Sequence, residues 1–247
     1  YDFPEIYQWY KNESKKKDFN SFLKATYNPT SKLSLTAELQ WRFVHYTMEG
    51  KDDDSFDMKM KNRYDFWNPK LGASYNLDDK NNIYASFAIS NREPMRSDLK
   101  ESLKAGETLN YEKLLDYEFG YRYTSPKITF AANFYYMDYK DQFVQTGKLS
   151  DVGYKFQENV KDSYRYGVEL EAMYNPTYWI GIGGNMTLSQ NKIKDYTAYY
   201  YLLDNQSDRN KMGQVSEFHK KTDISFSPNV TANAIIKLKP LEKEDLT

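Results

Sequence analysis

Four groups of side chains in this sequence have the chemistry to bind or react: two histidines, a pair of arginines, a run of aspartates and carboxylates spaced two residues apart. His45 and His219 are the only histidines. As neutral imidazoles they could meet haem iron or another metal. They lie far apart, with no carboxylate at a metal-ligand spacing, so an exposed structural role is the plainer reading. Arg92 and Arg96 could grip carboxylate or catecholate oxygens of a ligand through paired guanidinium bonds. The competing account is a solvated loop. Asp52, Asp53, Asp54 and Asp57 offer the clustered oxygens that Ca²⁺ prefers, but not at EF-hand spacing. An exposed acidic loop tip is the expectation. Glu169 and Glu171 could imitate a glycosidase pair, yet at i and i+2 they lie on one face of one strand.

Catalytic patterns are missing. There is no G-x-S-x-G, no H-E-x-x-H, no Walker loop and no G-x-G-x-x-G. The glycines of Gly181-Ile182-Gly183-Gly184 fall inside a strand pattern, where they suit close packing. Without cysteine there is no disulfide, thiolate ligand or sulfur nucleophile. The sequence therefore predicts no enzyme, no cofactor and no metal centre. A near balance of 34 basic and 35 acidic residues argues against nucleic acid as a partner.

The elements that must carry these residues are strands. Leu115, Tyr117, Phe119, Tyr121 and Tyr123 alternate with Asp116, Glu118, Gly120, Arg122 and Thr124. Alternation of this kind marks a strand with two unlike faces. It recurs over 128–136, 163–174 and 180–189, and less cleanly over 19–27, 33–43, 67–75, 83–89 and 222–238. About nine long strands follow, with a bulge or strand end expected at Pro228. Short connections rich in Asn, Pro and Ser, near 28–31, 77–81, 125–127, 175–177 and 240–245, alternate with long polar loops near 48–62, 91–113, 140–161 and 193–220. Long two-faced strands with alternating short and long connections predict an all-β, antiparallel transmembrane β-barrel, its short turns periplasmic and its long loops extracellular.

This layout accounts for the composition. The chain holds 24 Tyr, 14 Phe and 4 Trp among 247 residues, at a mean hydropathy of −0.87. One strand face would meet lipid and the other a wet lumen. Tyr27, Tyr75, Tyr123, Tyr174, Tyr178 and Trp179 sit beside short turns, where a membrane girdle needs rings with polar tips. Tyr46, Tyr136, Tyr139 and Tyr164 sit near the opposite strand ends. Glu38, Arg42, Asp116, Glu118, Arg122, Arg165, Glu169 and Glu171 fall on the other face. Mixed charge there requires water, cross-strand pairing or a charged partner. Arg122 could pair with Glu169 or Glu171 if the register allows.

Several pieces then resemble one family in order and spacing. Tyr117-Glu118-Phe119-Gly120-Tyr121, Tyr136-Met137-Asp138-Tyr139-Lys140-Asp141, Asn159-Val160 with Gly167-Val168-Glu169-Leu170-Glu171, and Tyr84 through Pro94 are similar to the strand motifs of TonB-dependent outer-membrane receptors. The version at Asn91-Arg92-Glu93-Pro94 looks like receptors of Bacteroidetes-type bacteria. The resemblance implies a barrel of about 22 strands with a plugged lumen. Residues 1–247 would be part of that single barrel domain, an internal fragment without the plug or the remaining strands. It implies energy-coupled import of a scarce large nutrient, foremost an iron complex such as a ferric siderophore or haem. The partners it implies are outer-membrane lipid, the plug domain, TonB through the missing N-terminal part, and a small-molecule or metal-complex ligand. The plug would then be the charged partner of the lumen face and a packing surface for Arg92 and Arg96. The alternatives are a passive porin or membrane enzyme on a similar barrel, and a soluble carbohydrate-binding β-sandwich.

Overall fold

The computed structural model describes residues 8, 10–52, 55–149, 155–203 and 211–239. They form one antiparallel sheet and one helix. In chain order the elements are β1 (Lys11–Tyr27), β2 (Leu33–Lys51), β3 (Met60–Asn76), β4 (Asn81–Arg92), α1 (Arg96–Lys104), β5 (Glu112–Thr124), β6 (Ile128–Leu149), β7 (Lys155–Tyr174), β8 (Ile180–Leu203), β9 (Lys211–Asp223) and β10 (Val230–Leu238). Strands β1 to β8 pair in sequence order, and β9 and β10 both pair with β8. Among the described residues the outer strands do not meet, so the sheet is open.

The expected ninth strand is divided. β9 runs along β8 from Leu203 to Lys192, and β10 continues along the same edge from Leu188 to Ile180. Between them Phe226 takes φ 57° and Pro228 follows. A left-handed residue and a missing amide donor stop the ladder at the place expected of Pro228. Among the described residues there are ten strands, but the sheet is nine strands wide. The turn expected at 240–245 lies outside the described residues.

Two expected loops, 140–161 and 193–220, are mostly strand. β6 and β7 extend upward as one hairpin, and β8 and β9 as another. Asp141 (φ 52°), Gly147 (φ 85°) and Asp195 (φ 49°) explain why the alternation faded there. Pairing skips Asp141 and Asp195. Each irregularity disturbs the phase of the side chains beyond it. The helix α1 also lies within an expected loop, and β4 extends to Arg92.

One face of the sheet is apolar from edge to edge. The register aligns Trp41 with Trp67, Phe87 with Tyr117, Phe119 with Phe134 and Leu188 with Val230. These rings are uncovered: Trp67, Phe119 and Phe134 are 56%, 51% and 53% exposed. A soluble sandwich would bury this face against a second sheet. The buried apolar clusters instead sit at the long-loop end. One joins Tyr46, Met48, Met58 and Leu99; the other joins Val144, Val160, Ile193 and Ile224.

Candidate functional site

The opposite face carries the charge, and its main feature is the crossing made by residues 93–111. Glu93 follows directly on β4 and turns back over the sheet. Its carboxylate receives Arg42 at 2.8 and 2.9 Å and Lys16 at 2.9 Å. Arg42 also grips Asp18 through Nε at 3.0 Å and Nη2 at 2.6 Å. Burial alone would raise the Glu93 carboxyl, but the bonds from Lys16 and Arg42 outweigh it and hold it below the usual carboxylate value.

From Glu93 the chain enters α1. Arg96 donates to Asn12 Oδ1 at 3.2 Å. Lys100 and Lys104, one helical turn apart, both reach Asp52 Oδ2, at 2.6 and 2.8 Å. Leu99 enters the cluster with Tyr46, Met48 and Met58. Farther on, the backbone N–H of Gln157 donates to Asp98 at 3.2 Å, and Asn110 and Asn159 exchange bonds of 2.8 and 3.3 Å. Lys148 on β6 meets Glu107 and lies 2.9 Å from Glu158. The segment thus runs from β1 and β2 to β6 and β7 across the polar face. Asp98 and Glu101 of α1 are buried on its underside, each with one carboxyl oxygen lacking a hydrogen-bond partner among the described residues. Burial pushes the Asp98 carboxyl above its ordinary value, against the lowering effects of the Gln157 amide and the Arg92 charge.

The lumen residues expected from sequence all lie on this face. Glu38 falls in register between Lys24 and Lys70. Glu118 accepts from Ser86 at 3.3 Å, and Glu169 accepts from Asn133 at 3.5 Å. Asp116 Oδ1 has no partner among the described residues. Arg165 donates to Ser227 at 2.9 Å and Asn191 at 3.3 Å. The Arg122 pairing fails because β6 intervenes: Ala131 lies between Arg122 and Glu171. Its guanidinium lies over the Tyr84 ring instead, 5.8 Å from the centroid.

The candidate ligand residues are dispersed. Arg92 belongs to strand β4, bonds Glu112 at 2.9 Å and covers the Phe143 ring, so it braces the structure. Arg96 stays exposed on the crossing. His45 on β2 and His219 on β9 stand near opposite edges of the sheet. His45 meets Phe43 edge-on, and His219 stacks on Tyr196. Asp52 is buried under two lysines, which corrects the exposed acidic tip. Asp57 pairs with Lys51 through an isolated backbone β-bridge, and Asp53 and Asp54 lie outside the described residues. Among the described residues no three His, Asp or Glu side chains converge as a metal site.

Tyr27, Tyr75, Tyr123 and Tyr174 end their strands at the short turns in the same phase as the apolar residues. Tyr178 and Trp179 occupy the β7–β8 turn and are exposed. At the other end Tyr136 and Tyr164 share this face and stack on each other. Tyr46 and Tyr139 are exceptions: Tyr46 enters the α1 cluster, and Tyr139 lies beneath Arg165.

Comparisons with known proteins agree with this geometry. The family model for TonB dependent receptor-like β-barrels matches residues 2–238. No curated protein matches by sequence. Among solved structures, the unliganded ferric citrate transporter FecA superposes with a TM-score of 0.66 at 15% identity, covering 94% of this chain and 31% of that one. The ferric yersiniabactin uptake receptor FyuA from Yersinia pestis gives 0.61 at 17% identity, covering 91% and 32%. The copper transporter OprC gives 0.63 at 16% identity, covering 76% and 32%. The chain therefore spans about a third of the length of these structures, and the likeness at such identity is one of fold.

Proposed function

The chain belongs to the TonB-dependent receptor β-barrel family, and on that premise we propose that it is part of an outer-membrane receptor for energy-coupled import of a scarce nutrient. The family is one of integral outer-membrane transport receptors, not enzymes. The observation that carries the reading is the two-faced sheet: an exposed apolar face nine strands wide, backed by a charged face with a structured crossing over its long-loop end. Only a closed sheet can place such strands in lipid with every backbone group paired. In this reading the described residues belong to one barrel domain, and the tyrosines at the turns form the periplasmic girdle.

A plug domain is the partner we assign to the polar face. Glu38, Asp116, Glu118, Glu169 and Glu171 lack an ion pair among the described residues, and a protein surface of complementary charge would compensate them. TonB supplies the energy through a segment outside the barrel strands. The favoured cargo is an iron complex such as a ferric siderophore or haem, in keeping with neighbours named for ferric citrate and ferric yersiniabactin. Of the four candidate ligand residues, Arg96 is the best placed, exposed on the crossing and bonded to Asn12.

Uptake of labelled ferric siderophores and haem should fall to background when the receptor is deleted, and equally when TonB is removed. Uptake that persists without TonB would indicate a passive pore. Unchanged uptake of every iron complex after deletion would remove iron as the cargo.

A further inference from the structure

His45 stands apart from the crossing, and its surroundings are unusual. It lies on the apolar side of β2, just beyond the hydrophobic band. The register sets it between Lys17 on β1 and Arg63 on β3. The next row away from the band is Lys15, Thr47 and Lys61, and the row toward it is Phe19, Phe43 and Asp65. Rows on one face are about 7 Å apart and strands about 5 Å apart. Four cations and an imidazole thus share a patch about 10 Å wide.

Like charges in register destabilise a sheet unless an anion compensates them. The chain compensates only part of this patch. Glu13 takes Lys15 at 2.7 Å, with Glu49 beside it in register, and Asp65 takes Arg63 at 3.0 Å. Lys17 and Lys61 are exposed and have no ion-pair partner among the described residues. At the same height on the polar face, Lys16 and Arg42 are matched by Asp18 and Glu93. The excess is specific to the outward side. Its planar groups are also held in place: the Arg63 guanidinium lies 5.2 Å from the Phe43 ring centroid, and His45 packs edge-on against the same ring at 6.4 Å.

We propose that the outward face of β1–β3 above Phe19 and Phe43 binds the phosphate groups of an anionic lipid in the outer leaflet of the membrane. This rests on the membrane-spanning reading above. The occupant follows from continuity: acyl chains lying along Trp41, Trp67 and Phe43 place the headgroup of the same molecule level with Lys17, His45 and Arg63. Arg63 offers a planar fork suited to phosphate oxygens, and Lys17 and Lys61 add mobile point charges on long apolar stems.

The test uses the complete receptor that carries this chain, reconstituted in neutral phosphatidylcholine vesicles. The vesicles are doped with a phosphorylated glycolipid or with its dephosphorylated form. Lipid retained through detergent extraction is counted by native mass spectrometry. The phosphorylated lipid should be retained and its dephosphorylated form should not. The Lys17→Gln, Lys61→Gln variant removes no ion pair of the described fold. It should insert normally and lose about tenfold in retention. Millimolar inorganic phosphate should not displace the lipid. Equal retention of both lipids, an unchanged variant, or displacement by inorganic phosphate would each overturn the site while leaving the barrel intact. Failure to insert into any vesicle would overturn the membrane reading together with the site.

Discussion

Asp98 shows how a residue's surroundings set its contribution to the fold. Its carboxyl is buried at the foot of the crossing, with one oxygen bonded to the Gln157 amide and the other without a hydrogen-bond partner among the described residues. Burial favours the neutral form, so the docked state raises the proton affinity above the ordinary value of 3.8. Such a group stabilises docking fully below that ordinary value, and the benefit is lost as pH rises through the raised one. Docking of α1 on β7 should therefore loosen as pH climbs out of the acidic range. Asp98→Asn keeps an acceptor for Gln157 and removes the charge, so it should flatten that profile. A spin-label distance between α1 and β7, followed against pH, measures it; identical profiles in both proteins would exclude Asp98 as the cause. At this scale the sequence was only partly legible. The alternation of β2 puts Arg42 on the polar face, but its partner Glu93 lies 51 positions away and reaches it by a fold-back. Asp52 looked like a solvated loop tip, although Lys100 and Lys104, spaced for one face of a helix, were the available signal against that.

Strands were the most legible elements, because an uncovered apolar face and a wet face leave a strict period of two in the sequence. Legibility ended where the backbone departs from the plain ladder. Asp141 and Asp195 are left-handed residues that the pairing skips, and Gly147 is a left-handed glycine packed against the Tyr199 carbonyl. Pro69 marks another departure. The β3–β4 ladder ends at Lys70, and above it Asn91 bonds Asn68 and the Trp67 carbonyl in place of backbone pairs. Gly120 shows what a strand glycine can be for. A Cβ there would come within 2.1 Å of the Tyr84 ring, which lies across it and donates to Asn133 at 3.2 Å. Gly120→Val should therefore cost roughly 1–3 kcal/mol by displacing that ring. Tyr84→Ala in the same protein should recover part of the loss, as denaturant unfolding in detergent micelles would show. Strictly additive losses would mean that the ring and the glycine are not coupled.

For the whole molecule, averages conceal the design. A mean hydropathy of −0.87 describes neither face. Phe134, mid-band and 53% exposed, belongs to a surface that in this reading only lipid covers. Phe134→Lys should cost about 2–4 kcal/mol of folding free energy in vesicles. Thr187→Lys, on the opposite face beside Glu169, should cost under about 1 kcal/mol. Equal penalties at the two positions would contradict the sidedness of the sheet. The strands that would pair with the two edges and the cargo are not legible, because nothing in a strand's alternation says what its neighbours in a larger barrel are. The crossing at 93–111 has a mechanical consequence. At β1 and β2 it is riveted by ion pairs from Lys16 and Arg42 to Glu93 and from Lys100 and Lys104 to Asp52, and by the packing of Leu99. At β6 and β7 it is held by the hydrogen bond from the Gln157 amide to Asp98, by the bonds between Asn110 and Asn159, and by the Lys148–Glu107 ion pair. Anchored at both ends, the span is a tie-bar across β3–β5: it sets how far apart β1–β2 and β6–β7 stand at the long-loop end of the sheet.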